Sequence, residues 1–87
     1  MIISVKGEDI ILSKEIIHKT REHFINIHLA CIDEVMNGEV KVNDMEKYIN
    51  WKNESIKHVK AGKSDCTLHF IQVAYFIQTG ITVPLLP

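Results

Sequence analysis

The residues best suited to chemistry are the histidines, five among 87 residues. Three of them have an acid within one helical turn: Glu15 with His18, Glu54 with His58, and Asp65 with His69. Spacings of three or four residues put both side chains on one helix face. Glu15-x-x-His18 also has the spacing used by carboxylate-bridged di-metal sites in helical bundles. Such a site usually needs two Glu-x-x-His pairs and two further glutamates, and the chain has only one such pair. Glu15, His18, Glu54, His58 and His69 are therefore a candidate ligand set only if their helices converge. Otherwise they are surface pairs worth a few tenths of a kcal/mol each.

A second constellation is local. Cys66 and His69 are one turn apart, with Asp65 beside them to orient the imidazole. A thiol at a helix N-terminus is more easily ionised. Three neighbours on one turn do not make a substrate cleft, and no glycine-rich oxyanion loop lies nearby. The plainer expectation is a helix start with a buried cysteine and a partly exposed histidine. Cys31 and Cys66 belong to no CxxC cluster and read as small buried hydrophobes in a reducing compartment.

The third candidate is basic. Lys47, Lys52, Lys57, Lys60 and Lys63 interleave with Tyr48 and Trp51, a mixture that can serve nucleic acid. Glu46 and Glu54 dilute that charge, and the chain holds a single arginine, the preferred base reader. A solvated lysine face is the expectation. Phosphate-binding loops, dinucleotide fingerprints and zinc spacings do not occur. The pattern points to no catalytic residue and to no cofactor.

The elements that must carry these residues follow from periodicity and punctuation. Ile2–Val5 and Ile10–Leu12 are short aliphatic strands. Lys6-Gly7-Glu8-Asp9 predicts a four-residue hairpin loop between them. Ser13 is placed to cap a helix running from Lys14 to about Met36, closed by Asn37-Gly38. Its apolar line is Ile17, Thr20, Phe24, Ile27, Cys31 and Val35, with Ile16, Ile25, Ile32 and Met36 alongside. Asn43 with Glu46 opens a second helix, Asp44 to Ala61, stopped by Gly62. Ser64 or Asp65 is placed to cap a third, Cys66 to Thr79, with Gly80 ending it. That helix is apolar around most of its circumference, which marks it as central or interfacial. Pro84 and Pro87 keep residues 81–87 extended.

The expected fold is thus mainly α (α+β), in one domain over residues 1–87. An N-terminal β-hairpin precedes a three-helix bundle with a central apolar third helix and an extended C-terminal tail. The charge pattern sharpens this. Residues 1–39 carry four basic and seven acidic side chains, and residues 40–63 carry six lysines and three acids. From Cys66 to Pro87 there is no charged residue at all. Residues 66–79 are too few to span a bilayer, which needs about 20 helical residues, so no membrane is expected. The first seven residues lack the basic and long apolar regions of an export signal, so a cytoplasmic location is expected.

A chain of this size buries only about 60–65% of its unfolded surface, and oligomerisation is a common remedy. Two readings of the apolar end follow. Either the tail closes its own core, or the third helix and tail meet a partner. The second makes the protein a small regulatory module that binds another protein and forms a homodimer, without enzymatic activity. Its contact residues would be Tyr75, Phe76, Ile81, Val83, Leu85 and Leu86.

Overall fold

A strand pair opens the chain because a two-residue turn lets it pair at once. The computed structural model describes residues 1–82. Strand β1 (Ile2–Val5) pairs antiparallel with β2 (Glu8–Ile11), with Ile3 opposite Ile10 and Val5 opposite Glu8. The loop is two residues, shorter than the expected four. Lys6 and Gly7 both take positive φ, 51° and 81°. Two positive φ values make the turn whose twist matches that of paired strands. Glu8 and Asp9 are thereby drawn into the ladder. Ile3 is buried, with Val5 and Ile10 packed on the core, while Ile2 and Ile11 face outward.

Helix α1 (Lys14–Met36) has the expected bounds. The Ser13 hydroxyl accepts the Ile16 N–H at 3.2 Å. Asn37 and the left-handed Gly38 end the helix. Thr20 is fully buried, which is tolerated because its hydroxyl donates to the Ile16 carbonyl at 2.7 Å. Ile27 and Met36 stand exposed on α1, so the buried stripe is narrower than the apolar one.

Helix α2 (Met45–Lys60) is capped by Asp44, whose carboxylate accepts the Lys47 N–H at 3.0 Å. The expected cap was its neighbour Asn43. A carboxylate gains from the helix dipole as well as from the hydrogen bond. Helix α3 (Leu68–Thr79) begins two residues later than expected. Thr67 caps it, accepting the Phe70 N–H at 3.2 Å and donating to the Ser64 carbonyl at 2.9 Å. Asp65 is not a cap because Arg21 takes it.

Ile3, Leu12, Ile17, Phe70, Ala74 and Tyr75 form one buried cluster, and Val35 of α1 with Ile56 and Val59 of α2 are buried as well. Helix α3 supplies half of that cluster, while α1 is the spine. At about 1.5 Å per residue α1 is roughly 34 Å long, most of the 45 Å length of the molecule. Helices α2 and α3 each pack on α1. Tyr48 and Lys52 of α2 meet Cys31 and His28 in the second half of α1. Phe70 and Gln78 of α3 meet Phe24 and Ser13 in the first half. The two short helices therefore follow one another along the spine.

Candidate interaction surface

The outer face of α3 exists because a nearly all-apolar helix has only one side covered. Phe70, Ala74 and Tyr75 face inward, with Ile71 packed beside them. Gln78 locks the same side. Its Oε1 accepts the Ser13 N–H at 3.3 Å, and its Nε2 donates to the Ile11 carbonyl at 2.9 Å. With that side fixed, Phe76 is 50% exposed and Ile77 points outward near it. Leu68 is exposed at the start of the helix. Beyond Gly80, whose φ of 75° turns the chain, Ile81 is 55% exposed.

A groove of about 500 Å³ runs along this face. Its walls are His23, Gln72, Val73, Phe76, Ile77 and Thr82. His23 also belongs to an aromatic seam between α1 and α3. Phe24 stacks on Phe70 at 5.8 Å, and the rings of His23 and His69 meet Phe24 edge-on at 5.6 Å and 5.2 Å. His23 is the one ionisable residue in the groove wall.

Of the expected contact residues, Phe76 and Ile81 lie exposed on this face. Tyr75 does not: it is buried in the core beside Ala74, turned inward by the phase of the helix. Val83, Leu85 and Leu86 lie outside the described residues.

The candidate metal ligands find other company. Glu15 reaches Lys19 at 3.4 Å, His18 reaches Glu22 at 3.1 Å, and Glu54 reaches Lys57 at 3.2 Å. All six of these side chains are mostly solvated. His58 is exposed, and His69 sits against Phe24. Among the described residues no three His, Cys, Asp or Glu side chains come together as a metal site would require.

The local Cys66 triplet also separates. Cys66 is exposed in the turn before α3, not buried within a helix, and Cys31 is half-buried. Both are free thiols. Asp65 is buried and receives Arg21 rather than orienting His69: the guanidinium Nε donates to Oδ1 at 3.1 Å, and Nη2 bonds Oδ2. On α2, Lys52 lies over the Trp51 ring at 4.8 Å and the Tyr48 ring at 5.6 Å, so part of the lysine face is held by its own aromatics.

Sequence reasoning passed over two polar features. The Arg21–Asp65 pair joins residues 44 apart. Its linear hint is that the sole arginine has no acid three or four residues away on its own helix. His28 is the other. Its Nδ1 is buried in the α1–α2 seam without a hydrogen-bond partner. Burial, and then the nearby Lys52 ammonium, hold its pKa below the usual value. Across the same seam the Tyr48 phenol is pushed up, first by burial and then by the Cys31 thiol and Glu34.

No family model, curated protein or solved structure matches this chain. Among the described residues no helix is long and apolar enough to cross a membrane.

Proposed function

We propose that this chain is a small protein-interaction module of the cytoplasm. It acts as a homodimer and regulates by binding another protein through the outer face of α3. The observation that supports this reading is the run of exposed apolar side chains on that helix: Leu68, Phe76 and Ile77, continued by Ile81. Full burial of such a side chain is worth about 1.5–3 kcal/mol. Four half-exposed ones therefore hold several kcal/mol that a partner would recover. Large exposed apolar patches are uncommon on monomers, and Phe76 with Ile77 and Ile81 is the part of α3 that such a patch would use. The face carries no Asp, Glu, Lys or Arg, so a second copy meets it without like-charge repulsion.

The test is hydrodynamic. Sedimentation velocity at micromolar concentration should show a species near twice the 10.0 kDa chain mass. Phe76→Asp, at a half-exposed position, should return it to monomer with an unchanged far-ultraviolet circular dichroism spectrum. A wild-type chain that stays monomeric over this range removes the homodimer.

A further inference from the structure

Among the described residues the two most exposed large apolar side chains lie on the hairpin, not on α3. Ile2 is 69% exposed and Ile11 70%, and they face each other across the strand pair. Antiparallel ladders alternate between pairs that exchange hydrogen bonds and pairs that do not. Met1 and Leu12 fix the phase here. The Leu12 N–H donates to the Met1 carbonyl at 2.7 Å, and the Met1 ammonium donates to the Leu12 carbonyl at 3.2 Å. Ile3 with Ile10 and Val5 with Glu8 are therefore bonded pairs too. The N–H and C=O groups of Ile2 and Ser4 consequently point away from β2, along the open edge of β1. Among the described residues no hydrogen bond reaches them. The far edge of β2 differs. There the Ile11 carbonyl accepts Gln78 Nε2 at 2.9 Å, and Asp9 adds a charge.

We propose that β1 pairs antiparallel with β1 of a second copy, with Ile3 on the two-fold axis. In that register Ile2 of each copy lies opposite Ser4 of the other, and every outward backbone group of the two residues finds a partner. Centring the pair on Ile2 or on Ser4 instead keeps only one bonded pair within β1. The strand suits its own copy. It has no charged residue, so two of them meet without like-charge repulsion, whereas β2 carries Glu8 and Asp9. It also has no lysine or proline to blunt the edge, and its ladder runs without a bulge. On the outer face the Ile2 side chains of the two copies become diagonal neighbours, which extends the Ile2–Ile11 pair across the axis. The hairpin, marginal alone, becomes half of a four-stranded sheet.

This contact shares no residue with the outer face of α3 and does not rest on pairing there. An edge of four residues is small, so it forms at higher concentration than a full-sized interface. Where α3 also pairs, the hairpins join one dimer to the next.

The full chain carrying Phe76→Asp, with the α3 face disabled, reads the edge by itself. Isotope-filtered nuclear Overhauser spectroscopy on a one-to-one mixture of labelled and unlabelled chains, near millimolar concentration, should show Ile3 Hα against Ile3 Hα between chains. That close approach marks a non-bonded antiparallel pair. From micromolar to near-millimolar concentration the Ile2 and Ser4 amides should come to exchange roughly tenfold more slowly. Those of Ile3 and Val5, already bonded to β2, should not change. Ile2→Lys, at an exposed position, should abolish both signals, and so should Ser4→Pro, which deletes one outward donor. Protection of Ile3 and Val5 reports that each variant keeps its hairpin. Absence of the Ile3 contact overturns the proposal, as do Ile2 and Ser4 amides whose exchange ignores concentration. A wild-type chain that is monomeric at micromolar concentration removes the α3 homodimer and leaves this readout untouched.

Discussion

Removing Arg21 should unfold this protein far more easily than any surface charge change. The Asp65 side chain is 12% exposed and the Arg21 side chain 33%. Arg21 grips both carboxylate oxygens and ties the α2–α3 turn to the first half of α1. Arg21→Ala strands a buried carboxylate. Losing one partner of a fully buried pair costs roughly 3–5 kcal/mol. Water reaches a third of the arginine, so part of that value is recovered, and about 2–3 kcal/mol is expected. Total stability at this length is of order 4–13 kcal/mol. The corresponding drop in Tm is roughly 10–20 °C, at about 4–8 °C per kcal/mol. Arg21→Lys keeps the charge but loses the two-pronged grip, so it should fall between wild type and alanine. The assay is urea and thermal unfolding of both variants, Asp65→Ala and the Arg21→Ala/Asp65→Ala double mutant. A cycle of contacting residues should show a coupling above about 1 kcal/mol. Strict additivity, or an Arg21→Ala loss under about 0.5 kcal/mol, would refute the clamp.

Three further outcomes follow from single positions. His28 has a lowered folded pKa, so the unfolded chain binds its proton first. Its contribution to stability is full above about pH 6.5 and is lost as pH falls through the lowered folded value. Urea midpoints from pH 7.5 to 5 should show a decline that His28→Leu flattens; an unchanged slope would count against the buried imidazole. Gly62 has φ 77°, and a Cβ there would lie 2.8 Å from Arg21 Nη2. Gly62→Ala should therefore cost clearly more than Gly38→Ala, whose φ is the same but whose Cβ meets open space. Left-handed backbone alone costs about 1–2 kcal/mol, and equal losses at the two glycines would show that Arg21 is not held there. Thr67→Ala should cost about 0.5–2 kcal/mol as a lost cap, whereas Asn43→Ala should stay within about 0.5 kcal/mol. The reverse ranking in thermal unfolding would move the caps.

What the sequence shows of this fold depends on whether a choice is local. The bounds of α1 are legible because Ser13 and Asn37-Gly38 punctuate a strong period. The start of α3 is not. Asp65 is a good cap by type, but its partner is 44 residues away, and Thr67 inherits the role. The hairpin loop turns on whether Lys6 accepts a left-handed conformation, which pairing decides. Tyr75 and Phe76 differ by one residue, and one is core while the other is surface. Periodicity gives a helix its phase only where polar residues mark one side. In α3 they are too few, and Gln78, which sets the phase, is paired with Ser13 and Ile11 far away in sequence. Glu15 and His18 have ligand spacing, yet Lys19 and Glu22, each one turn away, engage them instead.

The exposed face of α3 and the Arg21–Asp65 clamp are one fact seen twice. A compact three-helix arrangement would lay α2 against α3 and cover Phe76 and Ile77. The clamp holds the turn between the two helices against Arg21, in the first half of α1. It sends α3 along the first half of the spine and leaves α2 on the second. Each short helix then buries one side on α1, and the hairpin fills the inner side of α3 through Ile3 and Leu12. Nothing described remains to cover the other side. Helix α2 is charged over much of its surface, although Met45 and Trp51 stand exposed on it. Because α3 has no charged residue, its uncovered side becomes adhesive. The ion pair and the exposed side of α3 thus belong to one arrangement, in which each short helix meets α1 and leaves Phe76 and Ile77 uncovered by any described residue.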